Sequence, residues 1–144
     1  MARGSDAVDL GSVWLFSECS KAERKSIERK AKLEHVSAAD TIVEEGDVGT
    51  VFYFIVDGTA AVIRQGRKVV DLGPGHYFGE LALLDRLPRS ATVKATTDMT
   101  LLAIGQRDFE EILKGSPSTT RKLLVATASR LRSADLKAPS ASVL

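Results

Sequence analysis

The chain has 144 residues, 20 basic against 19 acidic, a formal net charge of +1 and one cysteine. That length is one domain's worth, enough to bury a core without metals or disulfides, and the near-neutral balance raises no global field for nucleic acid or an anionic membrane. The lone Cys19 excludes an intrachain disulfide and a cysteine-rich zinc site, which fits a reducing, cytoplasmic setting.

Residues 1–12 are small and polar without periodicity, and are predicted as a poorly ordered start. Trp14, Leu15 and Phe16 form an apolar knot, shorter than a signal peptide's hydrophobic region, that pins the next element to the domain. Ser20-Lys21-Ala22-Glu23 is a capping box. It opens a helix whose narrow stripe, Ile27, Ala31 and Leu33, leaves a charged surface that also carries His35.

From Thr41 the period changes to short strand-like runs. The longest apolar run, residues 51–56, is strand length and far below a membrane span. Asp57-Gly58 separates it from residues 60–63 and is the strongest hairpin signal in the chain; a second hairpin is predicted at Gln65-Gly66, leading into Val69-Val70. Further strands are predicted at residues 91–96 and 100–104. Several short strands at close spacing suggest a sandwich or jelly-roll barrel.

Residues 78–93, FGELALLDRLPRSATV, interrupt that barrel. Gly79 allows close backbone approach, and residues 80–84 are mostly good helix formers that would aim free N–H groups at negative charge. Arg89 is a planar fork of donors suited to phosphate; Ser90 and Ala91 are small enough to add their amides. Glu80, an acceptor when ionised, suits a sugar hydroxyl while balancing the arginine's charge. The implied ligand carries one anionic phosphate and one ribose hydroxyl.

After Gly105 the pattern is helical again. Phe109, Ile112 and Leu113 form an apolar face that ends at Gly115. Ser116-Pro117 starts a second helix, on which Leu124, Ala128 and Leu131 recur at helical spacing with Arg121, Lys122, Arg130 and Arg132 off that stripe. Residues 138–144 read as a loose tail after a single domain spanning 1–137.

Other chemistries find little support. Glycines 73, 75 and 79 are badly spaced for a dinucleotide turn. His35 and His76 are far apart in sequence, so no metal site is expected, and neither a Ser/His/Asp nor a Cys/His arrangement is visible. No catalytic residues are assigned, and the chain is not expected to be an enzyme. A charge run such as that of the last helix is usually a solvated face, and the few residues after Lys137 are too few for a helix-turn-helix. No direct DNA binding and no membrane contact are expected.

The cassette, with Gly46-Asp47, Tyr53-Phe54-Ile55-Val56, Gly58 and Gly73-Pro74-Gly75 upstream, resembles the cyclic-nucleotide-binding domain family. That resemblance implies an α+β fold: an antiparallel jelly-roll barrel with an N-terminal helix, a short phosphate-binding-cassette helix and two C-terminal helices. It places Glu80 on the ribose 2′-hydroxyl with help from the Gly79 backbone, and Arg89 on the cyclic phosphate. Leu81 and Ser90 complete the cassette's ligand-binding set, with the amides near Ala82 and Ala91 as donors to phosphate oxygens, and Val62 and Val70 against the base.

Leu83 matches the residue that couples the cassette to the C-terminal helices, and Leu131 is a candidate lid. Serine at position 90, where threonine accompanies cGMP selectivity, points to cAMP with cGMP as the alternative ligand. Ala134 and Asp135 depart from the hydroxyl residues that meet adenine in the catabolite activator protein. No cofactor is implied. The expected function is a regulatory sensor whose C-terminal helices move on binding and reach a protein effector or fused domain; the alternative is a vestigial pocket on a domain that docks a partner through its last helix.

Overall fold

The computed structural model describes residue 10 and residues 13–136, and for Leu81 and residues 133–136 the backbone alone. The predicted start and tail lie outside those residues except for Leu10, which is buried in the core. A 3-10 turn at Trp14–Phe16 leads into helix α1 (Lys21–Lys30). Strands β1 (Lys32–Val36), β2 (Thr41–Val43), β3 (Val51–Asp57), β4 (Ala60–Arg64), β5 (Arg67–Leu72) and β6 (Tyr77–Phe78) follow. A short helix α2 (Glu80–Asp85), strands β7 (Thr92–Ala95) and β8 (Met99–Gly105), and helices α3 (Gln106–Gly115) and α4 (Pro117–Leu136) complete the order.

The strands form two four-stranded antiparallel sheets, β1-β8-β3-β6 and β2-β7-β4-β5, and neither closes on itself. The two antiparallel sheets and the helices bear out the expected α+β fold, and closure into a barrel is the part not found. The edges explain it: β6 has two residues and β2 three, while β5 presents exposed Arg67 and Lys68, and short or charged edges do not recruit a further strand.

The α1 capping box is present, Ser20 N donating to Glu23 Oε1 at 2.8 Å and Glu23 N to Ser20 Oγ at 3.1 Å. The helix stops at Lys30, however, and Leu33 and His35, read from sequence as part of it, lie in β1 opposite Leu102 and Thr100 of β8. The ladder on β8 satisfies this backbone, a tertiary gain that no local helix signal reveals.

Asp57-Gly58 is likewise not a hairpin. The turn carries the chain from β3 in one sheet to β4 in the other. Gly58 is required there, because its φ is +89° and a Cβ would run into the Asp98 carbonyl. The second hairpin forms as expected: Gln65 and Gly66 both have positive φ, the type I′ signature, with Arg64 opposite Arg67.

Alternation along β3 and β8 divides the core into two layers. Ile55 and Leu101 face the other sheet, with Val62, Phe78, Ala91 and Val93. Phe52, Phe54, Leu102 and Ile104 face the helices, where they meet Phe16, Ile27, Leu83, Phe109, Ile112 and Leu123. Phe52 is fully buried, its ring centroid 5.1 Å from Phe109 and 5.5 Å from Tyr77. Phe52→Ala is therefore expected to destabilise the fold by about 3–5 kcal/mol, read as a shifted urea-denaturation midpoint; a loss under about 1 kcal/mol would mean that this layer is not packed as described.

Candidate functional site

The cassette leaves β6 with Phe78 stacked on Tyr53 at 5.2 Å. Gly79 then turns the chain with φ +96°, and a Cβ there would sit 2.7 Å from Arg89 Nη1 and 2.8 Å from the Val51 carbonyl. Only glycine supplies both the left-handed turn and the space. That turn sends Glu80 inward as the first residue of α2, which ends in a left-handed Arg86, φ +62°. Arg86 ties the cassette's far end to α3 through Glu110 at 2.8 Å.

Arg89 is 8% exposed. Its Nη2 donates to the Val51 carbonyl at 2.7 Å and its Nη1 to the Gly79 carbonyl at 3.2 Å. Its backbone is fixed as well: Arg89 N donates to Asp47 O at 2.7 Å, and Gly46 N donates to Arg89 O at 2.8 Å. Burial presses its pKa below the ordinary arginine value, with Tyr53 and Glu80 acting the other way. The guanidinium has five N–H donors, so two carbonyls leave some unused.

Glu80 is 1% exposed, the most deeply buried charged side chain among the described residues. Its Oε2 accepts from Arg130 Nη1 of α4 at 2.6 Å, while Oε1 has no hydrogen-bond partner. Arg130 lies over the Tyr77 ring, 4.8 Å from its centroid, and the buried Tyr77 hydroxyl is also unpartnered. Burial raises the Glu80 pKa above the ordinary glutamate value; Arg130 opposes this most strongly, and Arg89 contributes least.

The charge balance thus differs from the expected one. Arg130 neutralises Glu80, and Arg89 is held by backbone carbonyls. Arg130 stands 50 positions after Glu80, so only the fold brings them together. The one available signal is spacing: Thr119, Lys122, Leu123 and Arg130 share a helical face.

That face, and not the predicted apolar stripe, packs inward. Leu123 is 3% exposed, whereas Leu124 and Leu131 are 66% and 59% exposed. Lys122, read as part of a solvated face, is buried, its Nζ donating to Trp14 O at 2.9 Å and Ser17 Oγ at 2.5 Å. Cys19 Sγ contacts Ser116 Oγ and Thr119 Oγ1, both at 3.2 Å.

Of the other predicted residues, Val62 is fully buried between the sheets, opposite Val70 on β5 and Val93 on β7. Ala91 belongs to the same cluster, with Val70 packed at its margin. Ser90 is half-buried, and Ala82, on α2, is buried. Leu83 is buried against the helical layer with Phe109, Ile112 and Leu123, and Leu81 lies in α2, its side chain outside the description. Ala134 and Asp135 fall within α4, described for backbone alone. A cavity of about 290 Å³ opens beside Arg89, lined also by Val51, Tyr53, Asp47 and residues of β2; Glu80, Val62 and Val70 do not line it.

The family model for the cyclic nucleotide-binding domain matches residues 33–116. The chain belongs to that family. It is 40% identical over 105 residues to the cAMP-dependent protein kinase regulatory subunit of Eremothecium gossypii, a match covering 72% of this chain and 23% of that one. The crystal structure of Thermus thermophilus catabolite activator protein superposes with a TM-score of 0.78 at 31% identity, covering 85% of this chain and 60% of the other. The regulatory domain of Toxoplasma gondii PKA, crystallised with cAMP, gives 0.72 at 28% identity, covering 83% and 47%.

The chain spans about a quarter of the length of the curated relatives it matches. The family is a regulatory binding domain, not a catalytic one. Among the described residues no helix is long and apolar enough to cross a membrane, and no group of three His, Cys, Asp or Glu side chains is placed to hold a metal.

The raised Glu80 pKa has a definite sign. The folded domain binds that proton more tightly than the unfolded chain, so folding stability falls as pH rises from the ordinary value of 4.5 through the raised one. Glu80→Gln removes this term. Urea titrations of both proteins across that range should show the parent losing ground to the variant as pH rises; a pH-independent difference would contradict a carboxylate strained by burial.

Proposed function

We propose that this domain binds a 3′,5′-cyclic nucleotide, cAMP in preference to cGMP, and converts occupancy into movement of α3 and α4. The observation that carries the reading is Glu80 Oε1, a buried carboxylate oxygen with no partner. Such an atom costs free energy unless something donates to it. A ribose 2′-hydroxyl is a donor of the right size, and the glutamate is the cassette residue to which the family resemblance assigns that role.

Arg89 supplies the opposite charge. Its guanidinium is braced by the Val51 and Gly79 carbonyls, so an entering phosphate meets donors already oriented, which lowers the ordering cost of binding. The amides near Ala82 and Ala91 add donors to the phosphate oxygens. The family resemblance sets the base against Val62 and Val70, of which Val70 is partly open to it and Val62 lies fully buried behind, and Ser90 favours adenine by lacking the threonine that accompanies cGMP selectivity. A nucleotide of roughly 22 heavy atoms at roughly 0.3 to 0.4 kcal/mol each gains about 7 to 9 kcal/mol, near-micromolar binding.

The coupling route runs through two contacts. Leu83 joins the cassette to α3 and α4 in the helical layer, and Arg130 joins α4 to the carboxylate that would bind the sugar. A ligand that strengthens or displaces the Arg130 pair shifts the helix only by its difference in affinity for the two positions. Leu131, exposed here, acts as a lid only after such a shift. A protein effector, or a domain fused to this one, then reads the position of α4.

A second reading has an observation of its own. Leu124, Val125 and Leu131 leave an apolar strip exposed on α4, which suits a domain that docks a partner permanently over a vestigial pocket. Thermal shift separates the two: cAMP at a hundredfold its Kd should add about 2.7 kcal/mol of stability. No shift with cAMP or cGMP favours docking.

Calorimetry should find cAMP binding lost in Arg89→Ala and weakened in Glu80→Ala. Leaving the bound phosphate without its cation costs about 2 to 5 kcal/mol, as when one member of a buried charge pair is removed. Because Arg89 also braces two carbonyls, Arg89→Lys is the companion variant: it keeps the charge, loses the fork, and should bind more weakly than the parent. Undiminished binding by both arginine variants would place the phosphate elsewhere.

A further inference from the structure

The loop between β2 and β3 packs against both Arg89 and Ala82 of α2. Its Gly46 and Asp47 hold the Arg89 backbone through hydrogen bonds of 2.8 and 2.7 Å. Val48 is 83% exposed, but Gly49 is buried. A Cβ built on Gly49 would stand 2.6 Å from Arg89 Nε, 2.7 Å from Arg89 Cζ and 2.7 Å from Ala82 Cβ. Gly49 is not among the glycines with positive φ. Its φ does not call for glycine, and the restriction shown is one of space.

We propose that Gly49 is a positioning residue for Arg89: the missing side chain leaves the slot in which the guanidinium lies flush against the loop, with its Nη atoms on the Val51 and Gly79 carbonyls. Gly79 closes that slot from the other side, where its own Cβ would meet Nη1 at 2.7 Å. A methyl group at position 49 cannot coexist with the present arginine rotamer. Two carbonyl bonds hold the side chain in place, so moving it breaks at least one of them and re-aims the donors.

This inference rests on the role given to Arg89 above only in its consequence for ligand, and its primary test needs no ligand. In the ¹H–¹⁵N spectrum of the unliganded domain, the Arg89 Nε–H resonance is assigned by its loss in Arg89→Lys. Gly49→Ala should shift that resonance and weaken cAMP binding at least tenfold by calorimetry. Gly73→Ala, whose Cβ meets open space and whose φ is not positive, should do neither. Should Gly49→Ala fail to fold, the double variant with Ala82→Gly removes the backbone-anchored obstacle and leaves the arginine as the group that must move.

An Arg89 resonance unchanged by the methyl group overturns the proposal whatever the affinity. A shifted resonance in a domain whose parent binds neither cAMP nor cGMP leaves the positioning role intact and refutes the proposed function instead.

Discussion

A carboxylate sealed almost completely from water sets the terms for this domain. Taking Glu80 out of solvent is costly unless a cation meets it, and the cation that meets it is Arg130, 2.6 Å away on the last helix. The geometry of the cassette is therefore not a property of the cassette alone. It depends on where α4 lies, because Arg130 belongs to that helix.

The second charge in the cassette is handled differently. Arg89 makes its hydrogen bonds to two backbone carbonyls and has its main chain clasped by the loop at Gly46 and Asp47. A guanidinium on carbonyl groups keeps its net charge, whereas one on a carboxylate is neutralised. The domain thus has a neutralised acid and an unneutralised cation on one short segment, and each ranks last among the influences on the other. An anionic ligand that also offers a hydroxyl complements that division.

The helical layer shows how polar contacts can hold an element whose apolar residues face outward. Among the described side chains, the inner side of α4 carries Thr119, Lys122 and Arg130 around one buried leucine, Leu123. Lys122 donates to the N-terminal turn and lies 4.9 Å from the centroid of the Trp14 ring, and Arg130 lies over Tyr77. Long cationic side chains bury their stems against such surfaces while their heads find fixed acceptors. A hydrophobicity pattern reads that face as exposed, because it registers the residue type and not its bonds. The same limit hid β1 and turned Asp57-Gly58 into a hairpin: strand pairing is a long-range gain, and a turn signal marks a reversal without naming the sheet that receives it.

By itself the sequence determined a set of local features: the capping box of α1, the Gln65-Gly66 turn, the two C-terminal helices, and the cassette with its glycine, acid and arginine at family spacing. These follow from φ/ψ preferences, periodicity and residue chemistry within a dozen positions. Only the tertiary structure decided that the strands form two open sheets, that Arg130 and not Arg89 answers Glu80, and that α4 turns Leu124 and Leu131 to solvent. Those outcomes depend on which distant groups become neighbours, and burial of a charge is a fact about neighbours, which no stretch of chain carries alone.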